Sequence, residues 1–580
     1  MIARCGGVAE SEVKNQLFVS TPPAPGPPPN SLAVLGHYVR AGNMEKEQFL
    51  SKLKIQAKEF LDPEGGLCTF ALRDFPPTSS SLCQASLTFD CDCSEGPHKH
   101  RAICSSALVN GQVAFRNSCY GCVLHREFLG THCSSCFKRE DEVLELKQCS
   151  GCKQTRYCSR ACQQFDWNEG GHSRECKHLV NYTVLPSPQV NNLRLLIRVY
   201  FITYLKKKRT VDQRCHTHTH CPGVVACGRG HFLRMSTASG VGEFKSKFDG
   251  TLEQEMANDV LLQAAHVLMQ PEGEEAVNFY DLLGLYARFN TNNFGIFNDL
   301  HQVIGSGVYP MTAILNHSCC PNIILTYQPL TPISTSDPTS AAASHSKFPI
   351  SQGVYCLSHP SESGQELVHS YVDLCYPVLQ RRRDIFESYN FNCECQRCVE
   401  QLEIYSGEWK WTAAEDELVA KLESLVDKPL LLKVVLAGAK ESPSMADTDS
   451  SPLRLHAVTE RISSSSLSPL SFAGYKQNCR NFESSLANFA ETGDKHAHLL
   501  PAIRLCNRII SALAVFLSHV SFHPLLGLQL FTLGDLLSAA GEKDEASRYY
   551  TWCEAQLQHT HAQSPLLLRL KEAIHQNLTT

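Results

Sequence analysis

Hydrophobic positions along this 580-residue chain change their period several times, and each change predicts a different kind of element. Between Glu253 and Met269, and again between Glu275 and Phe289, apolar residues recur at three-to-four spacing, which predicts helices with one buried face. From residue 290 to 375 the pattern shortens to strands and turns, with the β-branched run Asn322 to Tyr327 as the plainest strand. Inside that region Thr331 to Ser351, rich in Ser, Thr, Pro and Ala, predicts a long surface loop. After Cys398 the period becomes helical again and closes on a pair, His523 to Ala540 and Lys543 to Gln558, broken at Gly541. The Ser-rich stretch Glu441 to Ser471 predicts a flexible interruption of that region. Near the N-terminus, Thr21 to Asn30 (TPPAPGPPPN) predicts an extended linker, because proline fixes its own backbone and removes a donor. No apolar signal core follows Met1, and no apolar run reaches the ~18 residues of a membrane span. The longest, Ile509 to Leu517, is the size of a core helix segment.

Charge narrows the picture a little. Lysine and arginine total 53 against 58 acidic residues, a net charge of −5, which excludes a bulk polyelectrolyte and leaves direct nucleic-acid binding unexpected. The basic run Lys206-Lys207-Lys208-Arg209 reads first as a solvated helix end, with an import signal or nucleic-acid patch as the alternative. Cysteine changes the picture more. The chain holds 28. A cytoplasmic and/or nuclear location is expected, and clustered thiols there hold metal more often than they pair as disulfides.

One block has metal-ligand spacing throughout: Cys133-x2-Cys136, Cys149-x2-Cys152, Cys158-x3-Cys162 and His172-x3-Cys176. Ligands two residues apart can face one ion from a tight turn, and ligands three residues apart share a face of a helical turn. Eight ligands in four pairs make two tetrahedral zinc sites. So short a block cannot bury a conventional core, and metal must supply on the order of 10 kcal/mol per site. With Tyr157 before Cys158 and Asp166-Trp167 before His172, the block resembles the MYND zinc finger. That resemblance implies interleaved sites, with Cys133, Cys136, Cys158 and Cys162 on one ion and Cys149, Cys152, His172 and Cys176 on the other. It also implies protein interaction, proline-rich peptides included.

Further along, Asn316-His317-Ser318-Cys319-Cys320-Pro321-Asn322 concentrates polar and thiol groups just before a strand. Ser370-Tyr371-Val372-Asp373 and Cys393-x-Cys395-x2-Cys398 follow, and the three cysteines need a fourth ligand from elsewhere. These pieces resemble the SET fold of protein lysine methyltransferases, and a MYND finger ahead of them resembles the SMYD family. The resemblance implies an S-adenosylmethionine-dependent protein-lysine N-methyltransferase with about three structural zinc ions, acting on a histone or non-histone protein as a monomer without a membrane. Cys319 would complete the third zinc site with Cys393, Cys395 and Cys398. Asn292, Asn316, His317, Tyr389 and Phe391 would meet the cofactor, Phe294 and Tyr371 would line the lysine channel, and Tyr371 would stand beside the transferring methyl. The chemistry asks little of side chains, because a sulfonium is already a good leaving group. The protein must align amine and methyl, exclude water and favour the neutral amine.

The implied fold class is α+β, a SET-type β-fold interrupted by a MYND finger and a helical insert, followed by an all-α TPR-like C-terminal domain. Its expected divisions are a weakly structured 1–95, a divergent N-terminal part of the SET lobe at 96–131, the finger at 132–177 and a helical insert at 178–289. The core SET region follows at 290–376, then the post-SET zinc site at 377–400 and the helical C-terminal domain at 401–580. Gly111-Gln112-Val113-Ala114-Phe115-Arg116 resembles the strand that follows the family's Gly-x-Gly cofactor turn, but the position of that turn holds Lys99-His100-Arg101. Gly65-Gly66 and Gly228-Arg229-Gly230 match it only out of place. A catalytically weak or inactive adaptor working through protein interactions therefore stands as the alternative. Two looser groups, Cys83 to Cys122 and Cys215 to His231, read as further ligands or as unliganded thiols and imidazoles in irregular segments.

Overall fold

A computed structural model of the chain describes residues 87–92, 99–104, 108–180, 187–205, 292–309, 312–329, 350–357, 365–389, 391–406, 410–426, 455–465, 468–561 and 564–579, with seven helical positions between 260 and 286. The proline-rich stretch, the basic run, the 215–231 group, Cys83, the out-of-place glycine pairs and nearly all of the 331–351 loop lie outside those residues. In chain order the strands are β1 (Leu87–Asp92), β2 (Lys99–Cys104), β3 (Val113–Ser118), β4 (Gly121–Leu124), β5 (Lys147–Gln148) and β6 (Arg156–Tyr157). They continue with β7 (Asn293–Phe297), β8 (Val303–Val308), β9 (Asn316–His317), β10 (Ile323–Pro329), β11 (Ile350–Cys356) and β12 (Val368–His369).

Two antiparallel three-stranded sheets, ordered β10-β11-β3 and β4-β8-β7, make the framework. Residues 352–357, on and just after the central strand β11, are buried, as expected for a strand covered on both faces. Strands β9 and β12 pair in parallel, with Val368 opposite Asn316 and His369 opposite His317. Asn322 clamps this pairing. Its carboxamide oxygen accepts from Val368 N at 2.9 Å, and its NH2 donates to Glu366 O at 2.8 Å.

Helices α1 (Arg160–Asn168) and α2 (His172–Glu175) belong to the finger, and α3 (Ser187–Tyr200) packs beside β4. Positions 260, 264, 267 and 268, and 282, 285 and 286, are helical and buried, which is the three-to-four spacing of the sequence pattern. Helices α4 (Val378–Tyr389) and α5 (Gln396–Glu403) flank the third cysteine group. The helical region then comprises α6 (Ala413–Ser424), α7 (Leu455–Ser464), α8 (Phe472–Thr492), α9 (Leu500–Phe516), α10 (Pro524–Ala540), α11 (Lys543–Leu557) and α12 (Pro565–Thr579). Gly541, at φ +97°, closes α10 in the left-handed conformation and separates the predicted pair.

Two expectations need correction. The Ser-rich stretch holds a helix, α7, because Ala457, Val458 and Ile462 bury against the helical core, and packing overrides composition. A helix does reach membrane-span length: Lys495–Phe516 runs 22 residues at mean hydropathy 1.6. Arg504 and Arg508 break the apolar run in sequence without breaking the helix. With 61% of its most apolar window buried, it serves as the central core helix of its region.

Candidate functional site

The finger is built from two matching turns. Phe137 N donates to Cys133 O at 2.9 Å and Lys153 N to Cys149 O at 3.0 Å, so each Cys-x2-Cys loop closes on itself and brings its thiols to one side. Both loops leave through a left-handed residue, Phe137 at φ 61° and Lys153 at φ 54°. Gly151 is required by close approach, since a Cβ there would lie 2.9 Å from Cys176 Sγ. Ser159 Oγ accepts from Cys162 N at 3.1 Å and starts α1, so Cys158 and Cys162 straddle a helix cap. His172 and Cys176 share the single turn of α2.

All twelve predicted metal ligands gather in three groups of four: Cys133, Cys136, Cys158 and Cys162; Cys149, Cys152, His172 and Cys176; Cys319, Cys393, Cys395 and Cys398. Within each group the ligand atoms lie within 4.8 Å of one another. A zinc–sulfur bond of about 2.3 Å sets a tetrahedral edge of about 3.8 Å. The sulfur separations of 3.6 Å (Cys136–Cys158), 3.5 Å (Cys158–Cys162), 3.8 Å (Cys149–Cys176) and 3.5 Å (Cys319–Cys398) fit that edge. So does the 3.8 Å between Cys152 Sγ and His172 Nε2. All-thiolate and Cys3His donor sets leave no open coordination position, so these groups suit structural zinc. The looser 83–122 group makes no fourth cluster among the described residues. Cys91 pairs with His100 and Cys104 with Leu87, four rungs or about 13 Å apart along one hairpin. Cys119 and Cys122 are buried in the core beside Tyr309.

Behind the finger lies a buried ion network that no sequence spacing announces. Glu175 sits 3.5 Å from His172 Nδ1, orienting the ligand ring. It accepts from Arg194 Nε at 3.2 Å and from Arg198 Nη2 at 2.6 Å. Arg198 also donates to Asp166 at 2.7 Å, and Tyr157 OH donates to the other oxygen of Asp166 at 2.8 Å. The arginines finish on the carbonyls of Leu124 and Cys122 in β4. Two cations from α3 therefore hold two finger anions against the sheet. Asp166 and Tyr157, read in the sequence as finger markers, are members of this network.

The third group organises the crossing of β9 and β12. Arg381, buried on α4, donates to Cys319 Sγ at 3.3 Å and to Cys398 Sγ at 3.7 Å, offsetting thiolate charge. His317 Nδ1 accepts from Tyr371 N at 3.0 Å, so its proton sits on Nε2, which faces Cys319 Sγ at 3.3 Å. Tyr371 OH donates to Leu315 O at 2.6 Å. Burial holds the Tyr371 pKa above the ordinary phenol value, with Tyr389 and Glu366 adding to the effect, so the hydroxyl is a donor and not a base. Around it stand Tyr389 at 4.7 Å between ring centroids, His369 at 4.8 Å and His317 at 5.2 Å. Phe294 lies against Tyr309 at 6.0 Å and His369 at 5.8 Å, completing an aromatic wall.

A cleft of about 540 Å³ opens beside this wall, lined by His317, Asn322, Glu366, Phe391 and Glu394 among others. Phe391, 37% exposed, stands 6.0 Å from His317 and offers a ring face at the rim. Asn316 reaches Glu366 at 2.6 Å, and Asn292 sits half-buried just before β7. Cys320 stays out of the metal group and meets His456 Nε2 at 3.7 Å. Lys99-His100-Arg101, where glycines were sought, lies in strand β2, which comes against the turn Thr312–Ile314 leading into Asn316. Sequence reading missed His369, Asn322, Arg381 and Tyr309. Only Asn322 carried a local signal, as the last member of the polar cluster that begins at Asn316.

The MYND finger family matches residues 133–176. N-lysine methyltransferase SMYD2 of Rattus norvegicus is 29% identical over 292 residues, covering 50% of this chain and 55% of that protein. SMYD2 of Homo sapiens is 27% identical over 322 residues, covering 55% and 59%, and SMYD2-A of Xenopus laevis is 28% identical over 308, covering 52% and 59%. The chain thus spans a little over half the length of these relatives. A crystal structure of the SET domain of LSMT bound to lysine and AdoHcy covers 86% of this chain and 95% of its own, at 10% identity and a TM-score of 0.26, too loose to support an inference.

Proposed function

We propose that the chain is a SMYD-like, S-adenosylmethionine-dependent protein-lysine N-methyltransferase on a SET-type core, a reading supported by the MYND finger match and by the similarity to SMYD2. The observation that carries this reading is Tyr371, its hydroxyl on Leu315 O and its N–H on His317, set in a wall of Phe294, Tyr309, His369 and Tyr389. When bound, S-adenosylmethionine supplies a methyl on a sulfonium. His317, Asn316, Asn292, Tyr389 and Phe391 would hold it at the cleft. The aromatic wall desolvates an entering ammonium and favours its neutral form. The Tyr371 oxygen, its proton committed to Leu315, keeps a lone pair for the amine N–H and so orients the nucleophile.

The three cysteine groups are scaffold in this reading, and the helical region from α6 to α12 is a TPR-like cover beside the site. The domain divisions set out above, with the finger at 132–177 and the core at 290–376, belong to the same proposal, as does a proline-rich peptide partner for the finger. Calorimetric titration of zinc-loaded protein with S-adenosylmethionine tests it. Saturable one-to-one binding is expected, and absence of binding by folded protein would overturn the reading.

A further inference from the structure

Two members of the aromatic wall carry a buried polar atom without a hydrogen-bond partner among the described residues, Tyr309 at its hydroxyl and His369 at Nε2, and His369 is the one in ring contact with Tyr371. It sits on β12 opposite His317, between Phe294 and Tyr371, and is 7% exposed. Its Nδ1 lies 3.1 Å from Ser370 O, the arrangement of an N–H donor. Nε2 is then a bare lone pair, buried and without a partner among the described residues. Burial and neighbouring His317 push its pKa down to about 3, so the ring stays neutral. Leaving a buried acceptor unpaired is unfavourable, and native structures rarely do it without a reason tied to function. The Tyr371 hydroxyl cannot satisfy it, since that proton goes to Leu315 O.

We infer that His369 Nε2 accepts an N–H of the substrate amine and thereby limits how far methylation proceeds, an inference that rests on the methyltransferase reading above. An unmodified neutral amine offers two N–H bonds, a monomethylated amine one and a dimethylated amine none. A wall acceptor therefore assists the first two substrates and leaves the third with an unpaired buried nitrogen facing a methyl group. Tyr371 and His369 together present two acceptors, matching the two N–H bonds of the first substrate. Their rings lie 4.8 Å apart between centroids, so the two acceptors stand side by side.

The test uses the full, zinc-loaded chain with labelled S-adenosylmethionine and three degenerate peptide libraries centred on lysine, monomethyl-lysine or dimethyl-lysine. For the wild type, the initial rate should fall at least about ten-fold between the monomethyl and dimethyl libraries, the worth of roughly one hydrogen bond. His369→Phe keeps the ring shape and removes both nitrogens. It should bring that ratio to about three-fold or less and add trimethylated product to the mass spectrum. His369→Gln restores an acceptor and should restore the ratio. Should His369→Phe not fold, His369→Leu carries the same expectation. An unchanged ratio in a folded His369→Phe or His369→Leu that still binds S-adenosylmethionine overturns the inference. If the wild type labels none of the libraries and binds no S-adenosylmethionine, the methyltransferase reading itself has failed and the inference falls with it.

Discussion

Tyr371 concentrates the proposed chemistry at the scale of a single side chain. Its hydroxyl is held at 2.6 Å on Leu315 O, and burial keeps it protonated. Tyr371→Phe removes only the oxygen and leaves the ring against Tyr389 and His369. Methyl transfer should fall about 100-fold, the usual worth of one aligned transition-state contact, while calorimetric affinity for S-adenosylmethionine stays within about three-fold. Parallel loss of affinity and rate would show that the hydroxyl serves the fold alone. At this scale Tyr371 was singled out only through the resemblance carried by Ser370-Tyr371-Val372-Asp373. His369 was passed over because its meaning depends on Phe294 and His317, which only strand pairing brings beside it.

Elements show where local spacing stops being informative. Each Cys-x2-Cys turn is set by chain it carries itself, which is why the finger ligands could be paired from spacing. Metal analysis should find about three zinc ions per chain, falling to about two in Cys395→Ser. The network joining α1, α2, α3 and β4 could not be read that way, since Arg198 meets Asp166 and Glu175 from 32 and 23 residues away. Breaking a buried ion group at one member strands the others. Arg198→Met should therefore cost about 3–5 kcal/mol in urea denaturation, with the zinc count unchanged in the protein that remains folded. A loss under 1 kcal/mol would mean that Asp166 and Glu175 find other partners. Glycine marks the same joint from the other side, because a Cβ on Gly305 of β8 would lie 2.4 Å from the Phe137 ring of the finger.

Across the whole molecule, the sheets meet the helical region through imidazoles. His301, in the turn after β7, stacks on Phe297 at 4.6 Å and meets His523 at 5.9 Å, while His561 Nε2 bonds Asp299 O at 3.0 Å. Burial holds the pKa of His301 down to about 4 and that of His523 to about 3, and lowers His561 as well. Folded-state values below the unfolded ~6.5 mean that the unfolded chain binds more protons between pH 6.5 and 4. Stability is therefore full above about pH 6.5 and declines as pH falls, by up to about 1.4 kcal/mol per unit for each group. Urea midpoints at pH 7.5 and 5.5 should differ less in His301→Phe than in the wild type, and equal differences would remove His301 from the account. The helix pair was legible in the hydrophobic period and the fold class only through the motif resemblance, but this seam was legible in neither, because its histidines come from segments more than 200 residues apart. The contact between His317 and Cys319 also bears on the order in which the molecule is made. Cys398 leaves the ribosome 79 residues after Cys319, so the strand crossing that positions Tyr371 cannot be locked while those residues are still being synthesised. A nascent chain stopped before Cys393 would already carry every residue of the aromatic wall, and Phe391 too, but none of the three cysteines that gather with Cys319, and translation past that point is what commits the site.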